Sequence, residues 1–330
     1  MRVLVAGGAG YIGSVVVEEM LRKGFDIVIL DNLSTGHREA VNPNVPFVEM
    51  DVHNVQGLKE TFTKHKIDAV MHFCANSLVG ESVQKPLMYY ENNLVGGLCL
   101  VRAMVESGVN QIIFSSTAAT YGEPEEIPLT ETSVTSPTNP YGDTKLAFEK
   151  LLHWASLAHG IRYITLRYFN ACGASETYGE DHNPETHLIP IVMQVALGKR
   201  DKLAVYGQDY KTRDGSCIRD YIHVLDLAQA HILALEALGN DPAIKEKIYN
   251  LGNGEGYSVL ELIEVARKVT GHEIPYEVSA RRPGDPATLI ASSNAVRNEL
   301  GWTPNHPDLE SIITSAWKWH QKHPNGYGQI

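Results

Sequence analysis

Cysteine is scarce in this sequence, which has four cysteines in 330 residues: Cys74, Cys99, Cys172 and Cys217. None of them stands in a C-x-x-C pair or at the spacing of a zinc site. A chain of this length can bury a core large enough to fold without disulfides. We therefore expect reduced thiols and a cytoplasmic location.

Basic charge and long apolar runs are scarce as well. Lys and Arg number 28 against 39 Asp and Glu, which gives a formal net charge of −11. A nucleic-acid partner would need a basic face, so we expect none. No apolar run approaches the roughly 18 residues of a membrane helix, and glycines interrupt the one at the N-terminus, so we expect no membrane partner.

What the sequence does have is an alternation of strand-like and helix-like runs up to about residue 168, with 43% hydrophobic residues overall. Such alternation predicts an α/β fold with a Rossmann-like, doubly wound parallel sheet. The predicted strands are 3–6, 27–30, 46–50, 69–73, 111–115 and 162–167. A helix is predicted over 85–107.

A glycine-rich turn, G-G-A-G-Y-I-G, follows the first predicted strand, and it spaces Gly7, Gly10 and Gly13 as G-x-x-G-x-x-G. The first glycine permits the turn, the second lets backbone approach a pyrophosphate, and the third brings helix and sheet close together. The helix that follows begins at Tyr11 and Ile12, where unpaired N–H groups can meet an anion. Glycines alone also suit an ordinary turn, but the flanking strand and helix favour a nucleotide diphosphate.

An acidic residue, Asp31, ends the second predicted strand, close to the interval of about 20 residues at which a carboxylate meets the adenosine ribose. A carboxylate there would repel a 2′-phosphate, and no Arg or Lys follows until Arg38. The sequence therefore predicts NAD rather than NADP. Asp31 has the alternative role of opening the turn at 32–36.

Further cofactor contacts are predicted at the carboxyl ends of the strands, where open α/β sheets bind ligands. Asp51 is placed to reach the adenine, although capping the next helix explains it equally well. At least one of Asn92 and Asn93 on the helix 85–107 should face the cofactor. The remaining predicted contacts are Asn32, Val52, Phe73 and Tyr168.

A candidate catalytic group consists of Thr117, Tyr141 and Lys145. A spacing of four residues puts Tyr141 and Lys145 on one face of a helix that Pro140 can begin. With 15 Tyr in the chain about one Y-x-x-x-K match is expected by chance, but only Tyr141 has a Lys at that spacing. A phenol has an ordinary pKa near 10, and a neighbouring ammonium together with a charged nicotinamide would lower that pKa toward neutrality.

Eight blocks in this order resemble the extended short-chain dehydrogenase/reductases, and among them the sugar-nucleotide 4-epimerases: G-G-A-G-Y-I-G, L-D-N-L, V-G-E-S-V-Q-K-P, N-P-Y-G-D-T-K, L-R-Y-F-N, R-D-Y-I-H-V, Y-N-L-G and R-R-P-G-D. The resemblance implies that C4 of UDP-glucose or UDP-galactose loses a proton to Tyr141 and a hydride to NAD⁺. Hydride then returns to the other face of the 4-keto sugar. Thr117 would hydrogen-bond the reacting oxygen, and Lys145 would hold the cofactor ribose.

The resemblance also implies a set of substrate contacts, with Asp285 on the uridine ribose and the others on UDP or the sugar: Asn170, Leu188, Tyr206, Arg219, Arg282 and Leu289. Independently of it, the fixed donors of an arginine suit a diphosphate. Either arginine has the alternative role of an ion-pair partner, for example of Asp220 or Asp285.

Several positions depart from the family pattern. Ser77 stands where a Lys often approaches the cofactor, and His187 stands where Asn is usual. Ala118 and Ala119 replace an acidic pair found in related dehydratases, which disfavours loss of water. Leu289 leaves moderate room beside the sugar, which predicts that UDP-N-acetylhexosamines are also accepted.

The predicted division of the chain is an NAD-binding domain over 1–168, with returns near 218–238 and 286–293, and a smaller mixed α/β substrate-binding lobe over 169–330. We predict a homodimer formed by the helices that carry Asn92 and Tyr141, whose apolar residues core packing explains equally well: Leu94, Leu98, Val101, Leu146 and Phe148. The 14 histidines show no metal-ligand spacing, and no metal is predicted.

Two alternative functions remain at this point. One is another sugar-nucleotide enzyme of the same fold, such as a uronate epimerase or decarboxylase, which would need a further basic group near the sugar. The other is a non-catalytic NAD-sensing protein, which has no need of Thr117, Tyr141 and Lys145 together.

Overall fold

The computed structural model describes residues 1–282 and 285–328, so Pro283 and Gly284 of the R-R-P-G-D block lie outside the described residues. Its strands are β1 (Arg2–Ala6), β2 (Asp26–Asp31), β3 (Phe47–Glu49), β4 (Ala69–His72), β5 (Gln111–Thr117), β6 (Arg162–Tyr168), β7 (Asn170–Cys172), β8 (Leu203–Tyr206), β9 (Ile218–His223), β10 (Glu246–Leu251), β11 (Gly256–Ser258), β12 (Tyr276–Ser279) and β13 (Thr288–Leu289).

Its α-helices are α1 (Tyr11–Arg22), α2 (Val55–His65), α3 (Val79–Gln84), α4 (Pro86–Tyr89), α5 (Gly96–Ser107), α6 (Pro140–His159), α7 (Leu188–Ala196), α8 (Val224–Asn240), α9 (Val259–Thr270), α10 (Asn294–Leu300) and α11 (Leu309–Lys322). A π-helical turn over Tyr90–Val95 joins α4 to α5. No helix in the described residues combines the length and the apolar character needed to cross a membrane.

The central sheet has seven parallel strands in the order β10-β6-β5-β4-β1-β2-β3. Alternate residues of β1 face opposite sides: Val3 and Val5 pack with α1 and α8, whereas Leu4 and Ala6 pack with α2 and α5. Both faces are covered, which explains the nearly unbroken apolar runs of these strands. The predicted Rossmann-like α/β fold is confirmed, and β1 and β4 lie side by side where the strand order reverses.

All six predicted strands are present, with ends that differ by a few residues. The seventh strand, β10, is not among the predicted strands, because its charged first residues, Glu246 and Lys247, leave only a short apolar run. The helix predicted over 85–107 is a continuous helical segment that contains the π-helical turn. A π turn adds a residue to the local repeat, and such turns are frequent at functional sites.

A second, smaller body of structure surrounds β9. This strand pairs with β11 in antiparallel fashion and with β7 and β13 in parallel fashion. Helices α7, α9 and α11 enclose a separate apolar core beside it. The chain returns to the large sheet through α8, which packs on α1, and through β10. The edge where the two bodies meet carries most of the predicted site residues.

Candidate active site

The glycine turn has the geometry expected of a phosphate-binding loop. Gly7 has φ +85°, and a Cβ there would lie 2.6 Å from the backbone nitrogen of Cys74. At Gly13 a Cβ would lie 2.1 Å from the Gly7 carbonyl oxygen. Near Gly10 a Cβ would meet only that carbonyl oxygen, at 3.4 Å, which is an ordinary contact. Gly7 and Gly13 are therefore required by the fold, whereas the open side of Gly10 leaves room for a ligand.

The N-terminus of α1 supports the same interpretation. Gly10 is its N-cap, and no side chain of the described residues caps this helix end. The first turn also contains no acidic residue. The N–H groups of Tyr11 and Ile12 and the helix dipole thus face the cleft, which suits the diphosphate of a dinucleotide.

The predicted adenosine contacts form a group at the ends of β2 and β3. Asp31 accepts hydrogen bonds from the N–H groups of Ala9 and Leu33, each at 2.9 Å. Burial raises the pKa of the Asp31 carboxyl, although these bonds oppose that shift. Asn32 donates to Asp51 at 2.7 Å and so joins the two strand ends. Asp31 does hold the turn that follows it, and both roles assigned to it from the sequence are compatible with its place.

The catalytic candidates meet at the ends of β5 and α6. Thr117 is the last residue of β5, and α6 begins with Pro140 after Asn139, whose side chain accepts from the Gly142 N–H at 2.9 Å. The Lys145 ammonium donates to the carbonyl oxygen of Ser115 at 2.8 Å. Strand β5 thereby fixes the lysine, and the cap fixes the start of the helix that carries Tyr141.

Burial is the largest influence on the pKa values of Tyr141 and Lys145. Burial raises the pKa of Tyr141 above its ordinary value, and interaction with Thr117 opposes that shift. Burial lowers the pKa of Lys145 to about 8, which its acidic neighbours oppose. The lowered phenol pKa expected from the sequence is thus not a property of the protein alone. A positively charged ligand beside Tyr141 would favour the phenolate and lower this pKa.

A buried ion pair supports this site and was not predicted from the sequence. The Glu149 carboxylate accepts from Arg167 Nε at 3.0 Å and from the Ser116 hydroxyl at 2.5 Å. Arg167 also donates to the Tyr121 hydroxyl at 3.0 Å. Both charged side chains are 5% exposed. The pair joins α6 to β5 and β6, directly behind Thr117 and Lys145, and only the three-dimensional structure places its members together.

The predicted substrate contacts lie across the cleft from the glycine turn. Arg219 forms an ion pair with Asp285, which realises one of the two pairings considered from the sequence. The Arg282 guanidinium lies 4.0 Å from the ring centroid of Tyr206, and stacking of this kind leaves its donors free for a ligand. Leu289 in β13 pairs with Arg219 of β9.

One cleft of about 1580 Å³ brings most of the predicted residues together. The predicted residues that line it are Gly7, Gly10, Tyr11, Ile12, Gly13, Phe73, Thr117, Tyr141, Lys145, Tyr168, Asn170, Leu188, Tyr206, Arg219, Arg282, Asp285 and Leu289. Ser77, Ala118, Ala119 and His187, the departures from the family pattern, line it too. Of the other predicted contacts, Asp31, Asn32, Asp51, Val52 and Asn92 do not line the described part of this cleft.

Asn92 and Asn93, of which at least one was predicted to face the cofactor, form hydrogen bonds within the protein. The buried Asn93 accepts from the Asn76 N–H at 2.8 Å and donates to the Thr144 hydroxyl at 3.1 Å. Asn92 donates to Asn93 at 3.0 Å. This network ties the π-helical turn to α6. A helical pattern in the sequence cannot reveal it, because the π turn shifts which residues face inward.

The loop that precedes α7 holds a second feature that the sequence analysis missed. Glu180, His182, Glu185 and His187 place one ligand atom each within 4.8 Å of one another. The spacing E-x-H-x-x-E-x-H was the available signal. No metal is predicted from the sequence, and for these two histidines that prediction stays open.

Four similarities to known proteins bear on the site as a whole. The model of the NAD dependent epimerase/dehydratase family matches residues 3–252. A UDP-glucose 4-epimerase of Halalkalibacterium halodurans is 56% identical over 329 residues, which cover 99% of this chain and 98% of that protein. A crystal structure of a UDP-glucose 4-epimerase superposes with a TM-score of 0.96 at 52% identity and covers 100% of both chains. The Bifidobacterium longum UDP-glucose 4-epimerase in complex with NAD⁺ and UDP gives a TM-score of 0.93 at 40% identity, over 99% of this chain and 100% of that one.

Proposed function

The chain belongs to the NAD-dependent epimerase/dehydratase family, and from its site we propose which residues perform the reaction. The protein is an enzyme that uses NAD to epimerise UDP-glucose and UDP-galactose at C4 through a 4-keto sugar. This function, expected from the sequence, is confirmed over the uronate enzymes and the non-catalytic sensor. The observation that carries the assignment of residues is the meeting of Thr117, Tyr141 and Lys145 in one cleft with the glycine turn.

NAD, when bound, accepts the hydride from C4 and returns it. We assign its diphosphate to the N–H groups of Tyr11 and Ile12, beside the open face of Gly10. Its adenosine ribose is assigned to the carboxylate of Asp31, where a 2′-phosphate would be repelled. The linked Asn32 and Asp51 continue this surface toward the adenine. Val52, Phe73, Asn92 and Tyr168 complete the proposed cofactor contacts.

We assign proton transfer to Tyr141. As a phenolate, Tyr141 would take the proton of the C4 hydroxyl, and it would return that proton to the oxygen of the epimerised sugar. The Thr117 hydroxyl holds the reacting oxygen by a hydrogen bond. Lys145, fixed by Ser115, holds the ribose of the cofactor and keeps a positive charge near the phenolate.

The substrate diphosphate is assigned to Arg219 and Arg282, two cations in a protein of net charge −11. Asp285, paired with Arg219, is assigned to the uridine ribose. Asn170, the backbone at Leu188 and Tyr206 complete the uridine and sugar contacts. The stacking of Arg282 on Tyr206 fixes the direction of its donors before substrate arrives.

We test the function by adding UDP-galactose to the purified protein without added NAD and resolving the products by chromatography. Formation of UDP-glucose is expected, because cofactor that remains bound is restored in every cycle. A parallel sample receives NAD, so that loss of cofactor during purification can be told from lack of activity. Absence of product in both samples would contradict the assignment.

The side chain of Leu289 sets the room beside C2 of the sugar. We predict turnover of UDP-N-acetylgalactosamine as well as UDP-galactose. Leu289→Tyr would fill that room, and we expect it to lower the ratio of acetylated to plain kcat/KM by about 10- to 100-fold. Leu289→Met, which conserves volume, serves as the control. An unchanged ratio in Leu289→Tyr would show that the pocket lies elsewhere.

We propose a homodimer formed through the helices that carry Asn92 and Tyr141, which are the continuous segment from α4 to α5 and helix α6. Of the apolar residues considered from the sequence, Val101, Leu146 and Phe148 are buried in the core of the chain itself. Leu98, also considered from the sequence, is exposed, and so are four further large apolar side chains of this region: Val83, Leu87, Trp154 and Leu157. Light scattering should give twice the 36.4 kDa chain mass at micromolar concentration, and Trp154→Glu should shift it toward the monomer. A monomer mass for the unmodified protein would exclude the dimer.

The division into an NAD-binding domain over 1–168 and a substrate-binding lobe over 169–330 is likewise proposed. It is supported by the two separate cores and by the return through α8. The return through β10 lies outside the predicted ranges, and β13, within 286–293, pairs with β9 of the smaller sheet. A cytoplasmic location is supported by four free cysteines. Fractionation of cells would test the location.

A further inference from the structure

The loop before α7 concentrates four metal-ligating side chains on one short segment. Glu180, His182, Glu185 and His187 all line the cleft, and none of them has a part in the proposed epimerisation. Glu180 and Glu185 are 6% and 5% exposed, so two carboxylates are buried side by side. Burying two carboxylates is costly unless cations accompany them.

The distances between the four groups match a four-coordinate ion. Glu180 Oε1 lies 3.4 Å from His182 Nδ1 and 3.1 Å from His187 Nδ1. The carboxylate of Glu185 lies 3.7 Å from His182 Nδ1 and 3.2 Å from His187 Nδ1. Zinc bonds to nitrogen and oxygen imply a separation of about 3.4 Å between neighbouring ligands of a tetrahedron. Each carboxylate thus stands at ligand distance from both imidazoles.

The hydrogen bonds of the loop fix the Glu185 carboxylate and leave one buried nitrogen atom of the group without a partner in the described part of the chain. His182 Nδ1 is buried and has no hydrogen-bond partner among the described residues, although two carboxylates lie within 3.7 Å. Glu185 Oε1 accepts from the N–H groups of Thr186 and His187, each at 2.8 Å, which fixes this carboxylate. His187 Nδ1 lies within hydrogen-bond distance of Glu185 Oε1, at 3.2 Å, whereas the buried His182 Nδ1 is the atom whose bonding capacity an ion would satisfy.

The charges of the group agree with a divalent ion. Glu180 and Glu185 bring two formal negative charges into the group, and both side chains are nearly buried. Two buried carboxylates are stable only when positive charge lies close to both of them. A divalent ion with two neutral imidazoles supplies the same charge as two imidazolium groups.

We propose that Glu180, His182, Glu185 and His187 bind one divalent transition-metal ion, for which zinc is the best match. Two nitrogen and two carboxylate ligands suit Zn²⁺ better than Mg²⁺ or Ca²⁺, which prefer oxygen ligands throughout. Four protein ligands leave no open position, so the ion is structural. It fixes the loop between the edge of Tyr11, whose ring centroid lies 6.5 Å from that of His182, and Leu188 at the start of α7. The proposal is independent of the substrate.

The test uses the full chain without a histidine tag. The protein is treated with a chelator, passed through gel filtration, given one equivalent of ZnCl₂ and passed through gel filtration again. Mass spectrometry of the metal should then find about one Zn²⁺ per chain. With Zn²⁺ at about 100 times Kd, the Tm should rise by about 5 °C. Cobalt in place of zinc should give the strong visible absorption of a four-coordinate Co²⁺ ion.

The variants separate this site from other histidines. The double variant His182→Gln/His187→Gln should hold less than about a tenth of the zinc and should show no rise in Tm. His159→Gln, at an exposed position on α6, should bind zinc like the unmodified protein. Circular dichroism checks the fold of each variant, and the single change His187→Asn replaces the double variant if that one fails to fold.

Two results would overturn the proposal. One is unmodified protein that leaves gel filtration without stoichiometric zinc. The other is a folded ligand variant that retains as much zinc as His159→Gln. Because metal content, Tm and cobalt absorption are read without substrate, a failed epimerase assay has no bearing on them.

Discussion

Tyr141→Phe should lower kcat for UDP-galactose about 10²- to 10⁴-fold, the usual contribution of a positioned acid or base. Phe keeps the ring, so the packing of this partly buried position should persist. What the variant loses is the oxygen that exchanges a proton with the sugar. KM should change little, because the substitution leaves the proposed diphosphate contacts, Arg219 and Arg282, unchanged. Chromatographic assays at saturating UDP-galactose measure the loss.

The matched control for this experiment is Tyr90→Phe. Tyr90 also carries a phenol close to α6, where its hydroxyl donates to Asp143, but it is absent from the residues that line the cleft. Its activity should stay within about twofold of the unmodified enzyme, as is usual for a change away from the site. The NAD content of both variants should be unchanged. If Tyr141→Phe kept full activity, Tyr141 would not be the base, and another group would have to take the proton.

Arg167→Met should lower the free energy of unfolding by about 3–5 kcal/mol, because it leaves the Glu149 carboxylate buried without its cation. The Ser116 hydroxyl would remain as a partner of that carboxylate, and a single neutral donor does not replace a guanidinium. Urea unfolding followed by circular dichroism measures the loss.

A double-mutant cycle tests the cause of this loss. Glu149→Leu/Arg167→Met removes both charges and should recover most of the stability, since an apolar pair of similar volume is often as stable as a buried ion pair. Arg22→Met removes a half-exposed arginine that pairs with Glu18 and Glu19 on α1, and it should cost less than about 1 kcal/mol. Equal costs for Arg22→Met and Arg167→Met would mean that the buried pair contributes nothing beyond a surface one.

The parts of the molecule that were predictable are those with local causes. Buried strands are recognisable in the sequence as apolar runs. The turn at Gly7, Gly10 and Gly13 is recognisable because the spacing of its glycines reflects steric contacts within a few residues. Tyr141 and Lys145 were predictable because one helical turn separates them. The family pattern extended the prediction to Arg219 and Arg282, which no local signal pairs with the glycine turn.

The parts that were not predictable depend on distant segments or irregular backbone. From the sequence alone, Glu149 and Arg167 would be interpreted as surface charges on a helix and a strand. Only the packing of α6 and β6 against β5 places them in contact. The roles of Asn92 and Asn93 depend on a π turn that the spacing of apolar residues does not reveal. The group that contains Glu180 depends on the path of a loop. Val101 and Phe148, which were considered for an interface between subunits, are instead buried in the core of the chain.

The place of β10 at the edge of the central sheet has a consequence for synthesis on the ribosome. Its neighbour β6 is complete long before β10, because residues 169–245, including most of the β9 region, are made between them. At about 5–20 residues per second, the free edge of β6 stays unpaired in the nascent chain for roughly 4–15 s. An unpaired parallel edge is a template for wrong strand pairing. The emerging chain is thus most exposed to aggregation, and most in need of chaperones, in the interval before its seventh strand arrives.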